Sequence, residues 1–227
     1  MSKVANLRSY FGSLEECYEL FFFQRKLDRN FNSILDIGCG DGSFVRRFFT
    51  MDSYVGCDIE RSFWPEIQRS YGDSATDISF VAPDELHSLP AESCAAVVSV
   101  GLMELIGERD INCYLGKSHR LLEPSGKMLL IWSPWCSLSA TYIPYLLKGG
   151  KRAHEENQGQ KVYTHSLKDI CKLIKVNNLQ VLEAGYLNPF PSLLWRSKWL
   201  MKNMFATRRR LFGKVYGGRY LIAEKKQ

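Results

Sequence analysis

The chain has 227 residues, 45% hydrophobic and 24% charged, enough to bury a sizeable core in one domain with room for a cap. Its formal charge of +6 could suit an acidic partner, but the excess is local, since residues 196–219 hold eight Lys and Arg and no acid. No run approaches the roughly 20 apolar residues of a membrane span, the opening MSKVANLRSYFG lacks a signal-peptide core, and seven cysteines with no C-x-x-C pair argue against a disulfide frame or structural zinc. The expectation is a cytoplasmic protein.

Leu14, Cys17, Tyr18, Phe21 and Phe22 recur at helical spacing behind Ser13, a fitting N-cap. The run Leu20-Phe21-Phe22-Phe23 is apolar nearly all round, which suits burial on more than one side. Residues 1–30 are therefore read as a helical lid over a ligand site or as a packing helix before the first strand.

Residues 33–37 read as a buried strand, followed at once by Gly38, Cys39, Gly40, Asp41 and Gly42, and then by a helix over 43–50. Glycines let the backbone approach a ligand closely, and a helix N-terminus offers free N–H groups to a polar one. Cys39 is taken as a small residue in this loop. A second strand, 54–58, ends in Asp58, which follows Gly38 by 20 residues. A carboxylate at that distance suits ribose hydroxyls. Asp36, just before the loop, would repel a pyrophosphate but could hold an ammonium, directly or through water. Ser43 stands where a dinucleotide fingerprint has its third glycine, which makes a nicotinamide oxidoreductase the weakest rival. A ligand with ribose at one end and an amino acid at the other satisfies both acids, and S-adenosylmethionine is such a ligand. Ile59, beside Asp58, could lie against its adenine or belong to the core.

Further strands are expected at 78–81, 96–100 and 128–132, with a helix over about 109–122. Strands alternating with helices mean a parallel doubly wound sheet, which binds ligands at its strands' carboxyl ends. Asp36, Asp58, Asp84 and Val100 all fall at or just past those ends. Glu104 follows the fourth strand and reads as a first-turn acid of the next helix.

After Trp132 comes an aromatic, turn-rich stretch. Residues 134–165, with Trp135, Tyr142 and Tyr145, are the first candidate for a substrate pocket, against the alternative of a satellite cluster packing a cap. His154 within it is the weak candidate for a base; His165 reads as a helix-entry residue. Ser166-Leu167-Lys168-Asp169 resembles a capping box with Asp as its acid, opening a helix to about 176. Strands follow at 180–185 and 219–224. The connection over 187–218 is far longer than a hairpin needs. Within it, 193–212 interleaves Leu, Trp, Met and Phe with Arg and Lys, as a membrane-surface helix would. A cap helix, a dimer contact and an ordinary surface helix fit the same pattern. No RNA-binding motif accompanies the basic residues.

Five segments in order carry a resemblance: ILDIGCGDG, YVGCDIE, FVAPDELHSLP, CAAVVSVGLMELI and HRLLEPSGKMLLI. Together they resemble the class I S-adenosylmethionine-dependent methyltransferases of the small-molecule type. That resemblance implies one α/β domain with a Rossmann-like doubly wound sheet of seven strands. Six would be parallel and one an antiparallel edge strand, with helices on both faces and the two insertions forming a cap. It implies S-adenosylmethionine as methyl donor and S-adenosylhomocysteine as product. Asp36, Gly38, Cys39, Gly40, Asp58, Ile59 and Val100 would line the cofactor, and Asp84 with Glu85 would reach the adenine. The expected activity is methyl transfer to a small, hydrophobic or lipid-linked acceptor. The alternatives are a non-catalytic protein that keeps the cofactor pocket and an RNA methyltransferase using 196–219. Where the family often has Asp the chain has Ala95, and where many members have Glu-His it has Glu104-Leu105, which removes one possible base.

Overall fold

The computed structural model describes residues 18–19, 21–22, 25, 27–71, 77–132, 156–157, 160–161, 163, 165–187, 206–207 and 218–226. Five parallel strands form its first half: β1 (Asn30–Ile37), β2 (Thr50–Cys57), β3 (Asp77–Val81), β4 (Cys94–Val100) and β5 (Leu122–Trp132). Between them lie α1 (Ser43–Phe48), α2 (Trp64–Tyr71) and α3 (Glu108–Leu121). A two-residue hairpin, β6 (Glu156–Asn157) with β7 (Gln160–Lys161), stands apart from the sheet. Then come α4 (Leu167–Val176), β8 (Leu179–Leu187), β9 (Ala206–Thr207) and β10 (Gly218–Lys225).

The strand order is β3-β2-β1-β4-β5-β10-β8-β9. The order reverses between β1 and β4, and it is outside the carboxyl ends of the strands at such a switch point that doubly wound sheets bind ligands. The seven long strands are the Rossmann-like sheet the sequence predicts, with β8 parallel to β1–β5 and β10 antiparallel. Within that edge pair the antiparallel strand is the inner one. β10 buries Tyr220, Leu221, Ile222 and Ala223 in succession, the pattern of a strand covered on both faces, whereas β8 exposes Gln180 and Leu182. Several strands start earlier than hydropathy suggests. Asn30 to Ser33 and Thr50 to Ser53 are polar or half-buried, yet their backbones are already paired in the ladder.

The sheet separates two apolar clusters. On one face Ile34, Tyr54, Val98 and Ile131 meet α1, α2 and Phe21 and Phe22. On the other, Leu35, Ile37, Val97 and Leu130 meet α3 and α4. Phe21 and Phe22 are buried, which contributes about 1.5–3 kcal/mol each. Phe21 packs edge-on against Tyr220 at 4.9 Å, Tyr18 against Phe44 at 5.1 Å, and Arg25 pairs with Glu183 at 2.8 Å. The described part of the N-terminal stretch thus packs on the sheet. The lid reading also involves residues 1–17, which lie outside the described residues, as do most of the 134–165 and 187–218 insertions. Among the described residues no helix is long and apolar enough to cross a membrane.

Candidate active site

The site is built where β1 ends. Gly38, Gly40 and Gly42 take φ of 74°, 50° and 66°, the left-handed region that L side chains rarely adopt. Gly38 is also a contact point: a Cβ there would lie 2.9 Å from Leu102 Cβ, in the loop after β4. Gly40 is the opposite case, with no atom within 4 Å of its Cβ position. The loop is anchored to β2, since Gly38 N–H donates to Cys57 O at 2.7 Å.

Two carboxylates flank this loop. Asp36 is 4% exposed, and its Oδ2 accepts from Tyr54 Oη–H at 3.1 Å. Burial lifts its pKa to about 7; the Tyr54 hydrogen bond pulls it down, and Asp58 and Asp41 push it up. Asp58 is half-buried just past β2. Its Oδ2 accepts from Gly40 N–H and its Oδ1 from Glu60 N–H, both at 2.9 Å. Ile59, beside it, is 80% exposed, an apolar side chain left bare. Cys39 is buried, and burial raises its thiol pKa, so it stays protonated, in keeping with a small filler of the loop.

Residues 34–126 match the family model described as a methyltransferase domain. The fold is that of the class I methyltransferases. Its fold is similar to a S-adenosylmethionine-dependent methyltransferase from Methanosarcina mazei at 15% identity, TM-score 0.59, covering 90% of this chain and 97% of that one. It is similar also to phosphoethanolamine N-methyltransferase 2 of Haemonchus contortus, solved with S-adenosylmethionine, at 15% identity and TM-score 0.59. There the match covers 93% of this chain and 52% of that one. A third is 1,6-didemethyltoxoflavin-N1-methyltransferase of Burkholderia thailandensis, solved with its substrate and S-adenosylhomocysteine, at 13% identity and TM-score 0.57, covering 98% and 84%. No curated protein sequence matches the chain.

The cofactor of such a methyltransferase domain is S-adenosylmethionine, and the residues present fit it. A buried carboxylate, Asp36, suits an ammonium; Asp58 keeps lone pairs beside its two N–H contacts for hydroxyls; the space above Gly40 is one a side chain would fill. The methyltransferase domain thus brings Asp36, Gly38, Cys39, Gly40, Asp58 and Ile59 together at the ends of β1 and β2. Val100 ends β4 nearby, where Gly101 N–H donates to Ile131 O at 3.0 Å.

The segment after β3 is arranged differently from its sequence reading. Glu85 Oε2 accepts from Ala82 N–H at 2.6 Å, so that carboxylate is turned back on its own turn. Asp84 is exposed. Lys117 donates to Pro83 O and Arg120 to Leu86 O and Leu89 O, each at 2.8 Å, so α3 holds this turn by its carbonyls. Glu104 lies in the loop before α3, not in its first turn, and its carbonyl accepts from Tyr163 N–H at 2.7 Å. His165 enters α4 as predicted, pairing through Nε2 with Ile106 O at 2.9 Å, while Ser166 caps Asp169 N–H at 3.1 Å. Trp135, Tyr142, Tyr145 and His154 lie outside the described residues. Sequence reasoning missed Tyr54, whose type and place read as an ordinary strand position.

Proposed function

We propose that this chain transfers a methyl group from S-adenosylmethionine to a small, hydrophobic or lipid-linked acceptor by in-line displacement. The observation that carries the reading is the pair of acids on the glycine loop, Asp36 beneath it and Asp58 bonded to Gly40 N–H at 2.9 Å. Asp36 would hold the ammonium of the methionine end, and Asp58 the ribose hydroxyls. Ile59 and Asp84 would border the adenine, and Val100 and the loop after β4 the side facing the acceptor.

When bound, the sulfonium supplies an activated methyl and its own leaving group. The protein's share is to align donor and acceptor and to exclude water. A general base is needed only where the acceptor keeps its proton near neutral pH; His154 is the weak candidate for it. A small acceptor is supported by two fold relatives whose names carry one, phosphoethanolamine and 1,6-didemethyltoxoflavin. The apolar, aromatic composition of 134–165 supports a hydrophobic one, and the basic aromatic stretch 193–212 suits a membrane surface where a lipid-linked acceptor would lie.

Calorimetry with S-adenosylmethionine and S-adenosylhomocysteine tests the cofactor assignment. Binding of both, weakened by about 1–3 kcal/mol in Asp58→Ala, is the expected result, and no binding overturns it. Turnover of labelled S-adenosylmethionine with a lipid extract then tests the acceptor. Label entering only a polar or RNA fraction would overturn the hydrophobic acceptor.

A further inference from the structure

We infer that Tyr54 is a positioning residue for the cofactor, fixing the Asp36 carboxylate so that one oxygen is held by the phenol and the other is left for an ammonium. This rests on the reading of Asp36 above and adds to it a residue that acts through that acid.

The geometry runs along β1 and β2. Tyr54 pairs in register with Ile34, two residues short of Asp36, while the partner of Asp36 itself is Gly56. Residues two apart on a strand share a face, so the tyrosine points to the same side as the acid but one step behind it. Its ring leans forward over Gly56. A Cβ on Gly56 would come within 3.1 Å of Tyr54 Cε1 and 2.9 Å of Phe80 Cδ1, so a side chain there would press on both rings. Tyr71 of α2 closes the other side at 5.0 Å between ring centroids. The phenol oxygen ends 3.3 Å from the Cβ position of Gly42, under the glycine loop, and donates to Asp36 Oδ2 at 3.1 Å. Tyr54 is wholly buried, so its hydroxyl has no water to exchange with, and Asp36 is its partner. A ring locked on three sides delivers one donor to one oxygen.

The groups facing Asp36 set the consequence. From β2 and its end come Tyr54, Cys57 and Asp58; from the loop, Cys39 and Asp41; from α2, Tyr71. Not one is a cation, and only the Tyr54 hydroxyl among them pulls the acid toward its charged form. An incoming ammonium therefore meets a carboxylate whose charged form burial disfavours and this phenol favours.

The test is calorimetry with S-adenosylhomocysteine from about pH 5.5 to 8.5 on the wild type, Tyr54→Phe, Asp36→Asn and the double variant. Tyr54→Phe is expected to weaken binding roughly tenfold at pH 7 and to move the midpoint of its pH dependence up by about one unit, the worth of a hydrogen bond to a charged group. In the Asp36→Asn background it is expected to add nothing. A wild-type midpoint in Tyr54→Phe, or a loss fully additive with Asp36→Asn, would overturn the inference while leaving Asp36 in place. Wild-type affinity in Asp36→Asn would instead overturn the reading of Asp36 itself. Should Tyr54→Phe not fold, 3-fluorotyrosine at this position keeps the shape and strengthens the donor; a lowered midpoint supports the inference and an unmoved one overturns it.

Discussion

The ends of β1 and β2 each carry an acid, and burial makes the two unlike. Asp36 is 4% exposed, accepts from the Tyr54 hydroxyl, and burial lifts its pKa to about 7. Asp58 is half-buried and already accepts two backbone N–H groups at 2.9 Å. One acid is costly to charge until a cation arrives; the other is a settled acceptor that also ties the loop to β2. The lesson is that two carboxylates bordering one glycine loop can do opposite things for the protein that carries them.

Substitutions can break or sharpen that contrast. The largest effect is expected from Gly38→Ala, which unseats both acids together. The left-handed φ of 74° and the 2.9 Å approach to Leu102 combine to cost about 2–5 kcal/mol of stability, read as a denaturant midpoint, with loss of S-adenosylhomocysteine binding. Asp36→Asn comes next, and its two readouts move in opposite directions. At pH 8 the ligand-free protein gains as much as about 4 kcal/mol, because a neutral amide replaces a buried charge, while cofactor affinity falls by tenfold or more. The pH dependence has the same sign. Between the ordinary carboxyl value of 3.8 and about 7 the folded chain holds a proton on Asp36 that the unfolded chain has lost. Its contribution to stability therefore falls as pH rises through that window, and a melting series from pH 5 to 8 in wild type and Asp36→Asn isolates it.

Asp58→Ala is expected to lower both readouts, with cofactor binding weaker by about 1–3 kcal/mol in calorimetry. A stability gain in this variant would erase the contrast with Asp36. Glu85→Gln is expected to do least, within about 0.5 kcal/mol for both readouts, since an amide oxygen can still accept from Ala82 N–H. A larger loss of cofactor affinity would restore Glu85 to the adenine.

Much of this was legible before any coordinates. Asp36, Gly38, Gly40 and Asp58 stand out because their chemistry contradicts the apolar strands they terminate, and such contradictions mark function. The alternation of strands and helices gave the doubly wound sheet for the same local reason. What escaped depends on partners distant in sequence. Tyr54 reads as any aromatic in a strand until Gly56 and Tyr71 are seen to aim it at Asp36. The carboxylate of Glu85 looks available until it folds onto Ala82 N–H, three residues back, a rotamer choice that no spacing announces. The inner place of β10 follows from which of two late strands is apolar on both faces, a signal present in Tyr220 to Ala223 but easily taken for an edge.

That inner place sets the order in which a newborn chain can mature. β8 is synthesised first but borders β10, not β5, so among the described strands its one long partner is missing until Gly218 and its successors leave the ribosome. The half bearing both acids needs only β1 to β5. A translation product stalled ahead of Gly218 will therefore hold the glycine loop and both acids with the sheet still open on one side, and the last strand to emerge will close it from within, like a keystone.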